Sequence, residues 1–185
     1  MKQVTHFLSS GEKSLIRACI GSTWISLSGA DMPDSDFAWD EVLVLTSSNC
    51  MRIGVELNEL QFEGWNDEYA RLNVSNASTE CTRSSGMKSY FQGRHQTVRE
   101  AWIVRDSLTA RFDDATAYMY SADVCMAFQL DTECIAVGLR SHRTEALVIA
   151  RANSKENLNL PRLEDRWPST LVETYEYRRE WMQPD

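Results

Sequence analysis

The chain has 185 residues, is 43% hydrophobic and 25% charged, and carries a net charge of -8 with a pI near 4.9. That length suits a single domain that fills its own core without metal or disulfide staples. The acidic balance disfavours direct binding to phosphate backbones, and no apolar run approaches the roughly 20 residues of a bilayer helix.

The opening MKQVTHFLSSGEK has no apolar stretch after its lysine, so no signal peptide is expected and the protein is read as cytoplasmic. Ser10 is a plausible N-cap for EKSLIRACIG, where Leu15, Ile16 and Cys19 fall at helical spacing and Gly21 sits where a helix would end. A short helix is predicted over 11–19. TWISL alternates weakly, and SGADMPDSD reads as a polar turn region. EVLVLTS and MRIGVEL read as two strands of a hairpin closed by SSN, and EYARLNV, 68–74, as a third. Residues 79–96, rich in Ser, Thr, Gly and Gln, read as a polar linker.

Beyond the linker the order recurs. TVREAWIVRD, RFDDATAYMY, DVCMAFQL, CIAVGLRS and EALVIARAN all read as strands, with the turn DTE between the third and fourth. In the tail, TLVETYEYRREWMQPD reads as a strand that closes the sheet, although Pro168, Thr170 and Glu173 would also suit a capped helix.

LVLTSSNCMRIGV at 43–55 aligns on AFQLDTECIAVGL at 127–139 with a constant offset of 84, so the hairpin of Cys50 and Gly54 echoes that of Cys134 and Gly138. ARLNVSN at 70–76 aligns on VIARANS with an offset of 78, and LIRACI at 15–20 on VREAWI at 98–103. The expected fold is therefore α+β and predominantly β. It comprises two similar antiparallel halves, an internal duplication, with a short N-terminal helix. One domain, 1–185, would hold sub-halves 11–78 and 97–182.

The charge is unevenly laid out. Between Asp31 and Glu68 stand ten acids, Asp31, Asp34, Asp36, Asp40, Glu41, Glu56, Glu59, Glu63, Asp67 and Glu68, against one base, Arg52, a local charge of -9. Six bases and two acids follow between Arg83 and Arg111. Then Asp113, Asp114, Asp123, Asp131 and Glu133 come with no base among them. Such acids either pair across the fold or form a face that steers a basic partner, and a face of this kind can raise association rates by about 10–1000-fold at low salt.

Signals of chemistry are sparse. The five cysteines, Cys19, Cys50, Cys81, Cys125 and Cys134, lack metal-site spacing and read as small buried hydrophobes. Asp34 and Asp36 fail as a calcium loop, because Trp39 and Leu45 fall where Gly and Glu are required. No nucleophile elbow, phosphate-binding loop or zinc-protease motif occurs. The turn SHRTE around His142, with Glu145 or Asp131 as a second group, is the one arrangement suited to acid–base work, and a solvated turn explains it more simply. No catalytic residue, metal or cofactor is assigned.

The runs VREAWIVRD, YMYSADVCMAFQLDTECIAVGL, EALVIARAN and YEYRREW, together with Ile20–Gly21, resemble small immunity proteins of bacterial contact-dependent growth inhibition and polymorphic toxin systems. The resemblance spans most of 14–182 and rests on scaffold patterns of low specificity, with no family-wide binding residues to transfer. It implies a cytoplasmic, non-enzymatic protein that binds one cognate toxin domain, often a basic nuclease, and blocks its active site. The expected contact surface is the run of ten acids, with Trp39 or Trp65 as an aromatic anchor inside the charged ring. Neither direct nucleic-acid nor membrane binding is expected. The alternatives are a small enzyme centred on His142, or a structural or regulatory module that forms a homodimer through its sheet edges.

Overall fold

The computed structural model describes residues 2–31, 37–62, 65–78, 87–92, 95–112, 115–141, 144–162 and 174–185. Within them the fold is α+β and predominantly β, with eleven strands and one α-helix. No helix among the described residues is long and apolar enough to cross a membrane.

The chain starts with a strand, β1, Lys2–His6, that the sequence pattern did not predict. The helix α1, Ser10–Arg17, is capped by Ser9 rather than Ser10. The Ser9 Oγ accepts from the Glu12 N–H, and the Glu12 carboxylate accepts from the Ser9 N–H at 2.7 Å, a reciprocal capping box. Strands β2, Trp24–Asp31, β3, Phe37–Thr46, β4, Cys50–Phe62, and β5, Trp65–Asn76, follow as an antiparallel meander. Next comes β6, Met87–Gln92, which pairs with β2. The segment 79–96 is thus more than a linker, because its centre is a strand.

In the second half stand β7, Glu100–Phe112, β8, Ala115–Gln129, β9, Cys134–Leu139, and β10, Ala146–Ala152. The runs RFDDATAYMY and DVCMAFQL do not form two strands. Residues 111 and 112 end β7, and everything from Ala115 to Gln129 is one long strand. The final strand, β11, Thr174–Met182, lies against β7 and closes that edge as the alternation in the tail predicted. The helix alternative at Pro168, Thr170 and Glu173 lies outside the described residues.

The sheet runs β11-β7-β8-β9-β10-β3-β2-β6, with β1 added to β8 and the β4–β5 hairpin added to β3. Every pairing is antiparallel except β1 on β8. Two long strands organise it, each dividing one edge between two partners. β3 gives residues 37–39 to β10 and 41–45 to β4. β8 gives 118–122 to β1 and 125–129 to β9. Asp40, where β3 changes partner, has φ of 43° and donates its N–H to Glu145 O at 2.8 Å.

The two hairpins share a register. Leu45 faces Cys50 and Gln129 faces Cys134; Glu41 faces Gly54 and Cys125 faces Gly138. Both turns close with the same hydrogen bond, Thr46 N–H to Asn49 O and Leu130 N–H to Glu133 O. The equivalence continues outward along a different alignment from the one expected. β7 corresponds to β2, with Leu27 opposite Val44 as Ala101 is opposite Phe128. The matching of 15–20 to 98–103 therefore fails, since the first segment is the end of a helix and the second a strand. β5 and β10 correspond through Asn73 and Val148, which face Gly54 and Gly138, a shift of 75 rather than 78.

The glycines mark close approach without a bulge. A Cβ at Gly54 would stand 2.7 Å from Asn73 Oδ1, and one at Gly138 would stand 2.9 Å from both Cys125 Cβ and Val124 O. The core between the layers includes Ile16, Trp24, Leu27, Met51, Tyr69, Tyr120 and Phe128, all nearly or fully buried. The Trp24 and Phe128 rings lie 5.4 Å apart across the two halves.

Candidate functional site

The hairpin pattern that builds β4 and β5 also builds the acidic surface. β4 leaves β3 after Gly54, yet its pairing with β5 continues to Phe62 opposite Trp65. Residues 55–62 and 65–72 thus make a two-stranded arm beyond the ladder with β3. Along it Glu56 stands opposite Arg71, Glu59 opposite Glu68 and Leu60 opposite Asp67. Glu56, Glu59 and Glu68 are exposed. Residues 51, 53, 55 and 57 alternate toward the core, and Glu59 continues that side where the core has ended.

The structure brings only part of the predicted set onto this arm. Glu41 sits on β3 and is tied to Arg52, with Oε2 at 3.3 Å from Nε. Asp40 is exposed at the partner change in β3. Asp31 and Trp39 belong to β2 and β3, opposite Ala38 and Ala146 respectively, away from the arm. Trp65 and Asp67 lie on β5 within it. Asp34, Asp36 and Glu63 fall outside the described residues, as do Asp113 and Asp114.

At its base the arm is locked to α1. The Val74 N–H donates to Glu12 Oε1 at 3.0 Å, and Arg71 Nη2 lies 3.6 Å from Glu12 Oε2. Burial pushes the Glu12 carboxyl up, but the Ser9 donors, the Val74 N–H and Arg71 together hold it below its ordinary value. The edge of β5 is thereby covered at this point by a helix side chain.

In the second half four acids serve the fold. Asp123 is buried, accepting from Arg105 Nε at 2.8 Å and from the Leu8 N–H at 2.8 Å. Asp106 is fully buried and accepts two bonds of 2.7 Å from Arg179 and one of 3.0 Å from Tyr177. Glu133 binds Arg151 and Gln96. Asp131 takes the Thr97 N–H at 2.8 Å and Arg99 at 2.6 Å, and these donors lower its pKa. Asp131 and Glu133 are therefore fastenings of a turn rather than extensions of the acidic face. Sequence reasoning missed the pairs of Asp106 and Asp123, whose partners lie on other strands.

The candidate chemistry finds little support. His142 lies outside the described residues. His6 belongs to a paired strand; it is buried and stacked on Tyr120 at 6.1 Å. Four cysteines, Cys19, Cys50, Cys125 and Cys134, are buried thiols outside any disulfide. Burial pushes the Cys19 thiol up to about 11 and the Cys134 thiol to about 12, which disfavours the reactive thiolate. Among the described residues no three His, Cys, Asp or Glu side chains group as metal ligands. An open cleft of about 510 Å³ lies along β7, β8 and β11, and several of its polar groups are already engaged. Arg105 holds Asp123 and stacks over Phe7 at 3.4 Å, Arg178 pairs with Glu180, and Ser107 bonds Ser121 at 2.7 Å.

Comparison with family models, with curated proteins and with solved structures gave no match.

Proposed function

We propose that the chain is an immunity protein that binds a cognate bacterial toxin domain, a basic nuclease, through the acidic arm of β4 and β5 and so neutralises it. The observation that carries this reading is the row Glu59–Glu68 on the arm. Glu59 and Glu68 are both exposed and stand at directly opposed positions, so they present two carboxylates side by side at the surface. A partner surface rich in Arg or Lys complements such a patch. Glu56, exposed on the other side of the arm and opposite Arg71, adds to the negative charge of the arm as a whole, and such a field steers a basic surface.

Blocking a toxin needs no chemistry of its own, which suits a molecule whose described polar clusters fasten strands to one another. The resemblance of the scaffold runs to immunity proteins points the same way. The test asks first whether the adjacent reading frame encodes an exported protein with a variable C-terminal domain; if it does, that domain is the probe, and if it does not, the reading loses its partner. Co-purification of that domain with the chain, and loss of its nuclease activity on mixing, would support the proposal. A domain that neither binds nor is inhibited would reject it.

A further inference from the structure

The two halves meet at two junctions that ought to be alike and are not. At the first, β10 continues onto β3 directly, with Ala146, Leu147 and Val148 opposite Trp39, Ala38 and Phe37. The shared register carries β3 positions onto β8 with a shift of 84 and β10 positions onto β5 with a shift of 75. Applied to the second junction, it names the rows Arg71–Asp123, Leu72–Ala122 and Asn73–Ser121. Those rows are absent. On β8 the same edge is taken by β1, with Thr5 opposite Ser121 and His6 opposite Ala122, and the Leu8 N–H occupies Asp123. On β5 the Val74 N–H and Arg71 are taken by Glu12 of α1. Residues 2–17 therefore stand between two edges whose counterparts are joined directly.

We propose that residues 2–17 are a displaceable wedge: when β1 leaves β8, β5 closes on β8 in the register Arg71–Asp123, Leu72–Ala122, Asn73–Ser121. The equivalence used is one of ladders and holds whatever the origin of the halves. Two observations support the exchange. The rows it would create are chemically matched: a cation faces an anion, an apolar residue an apolar one, and an amide a hydroxyl. The strand it would displace is weakly held. β1 is five residues long and parallel, and parallel pairing is slightly less stable per residue. Of its described side chains it buries Val4 and His6, and the buried His6 Nδ1 has no hydrogen-bond partner, a cost that departure would relieve. Anything that grips the exposed Gln3, Thr5 or Phe7 would then set the state of the seam.

The test uses the full chain with two cysteine pairs, Thr5→Cys with Ser121→Cys and Asn73→Cys with Ser121→Cys, each with and without Val4→Asp. Disulfides formed on mild oxidation are located by peptide mapping. The proposal expects the 5–121 link to dominate with Val4 in place, and Val4→Asp to raise the 73–121 link about tenfold while lowering the other. A Val4→Asp chain that gains no 73–121 link overturns it. Hydrogen exchange on the unmodified chain tests the same point if Val4→Asp fails to fold. Amides of β1 should exchange at least about tenfold faster than those of residues 118–122, which remain covered in both states. Equal rates on the two strands would overturn the wedge.

Discussion

The halves of this molecule use one ladder register for opposite ends. In β7–β10 and the turns between them, four acids are spent on the fold: Asp106 and Asp123 are buried under Arg179 and Arg105, and Asp131 and Glu133 fasten a turn. In β3–β5 the acids on the arm beyond β3, Glu56, Glu59 and Glu68, face outward. Charge density along a chain therefore does not locate an exposed acidic surface. What exposes these acids is that, beyond Gly54, the arm has outrun its neighbour β3.

The sharpest way to break this contrast is to remove a buried acid. Asp106→Ala would leave the Arg179 guanidinium buried with its carboxylate gone, which should cost about 3–5 kcal/mol. Urea unfolding measures it, and a loss below about 1 kcal/mol would show that the second half does not depend on its acids. Next in size is the pair of hairpin glycines. Gly138→Ala drives a Cβ against the Val124 carbonyl and Cys125, whereas Gly54→Ala meets the end of the Asn73 side chain. The first should cost about 1–3 kcal/mol and the second clearly less, since an amide group can swing aside. Thermal unfolding of both variants would show the order, and a reversed order would contradict the packing described.

A smaller effect separates β1 from the rest of the sheet. Burial, then the charge of Arg71, holds the pKa of His6 below its ordinary 6.5. The unfolded chain thus binds a proton at higher pH than the folded one. The stability contributed by the neutral imidazole is complete above 6.5 and is lost as pH falls from 6.5 through the folded-state value. Denaturant midpoints measured across this range should decline toward acid, and His6→Leu should flatten that slope. The smallest effect is expected on the arm, where Glu59→Lys with Glu68→Lys should change stability by no more than about 0.5 kcal/mol per site.

Much of the sheet is legible in the sequence. MRIGVEL, EYARLNV, CIAVGLRS and EALVIARAN alternate cleanly because one face of each meets the core, and each lies within or across an observed strand. KQVTH is short and mostly polar, and MKSYFQ is short with its polar and apolar residues evenly mixed, so β1 and β6 give no periodic signal. Asp123 reads as a strand break because an acid within an apolar run usually marks a turn; here it is buried, and Arg105 satisfies it from the next strand. The acidic site is legible as a density of carboxylates but not as a surface. Cross-strand partners such as Asp106 and Arg179, 73 positions apart, emerge only from the register.

The most direct measurement of the binding account is the association rate of the cognate toxin domain with four proteins at low and high salt: the native chain, Glu59→Lys/Glu68→Lys, Glu56→Lys, and Asp131→Asn/Glu133→Gln. The account predicts that the arm variants associate at least about tenfold more slowly at low salt, that the difference shrinks as salt rises, and that the turn variant associates like the native chain. Equal rates for the arm variants and the native chain would contradict it.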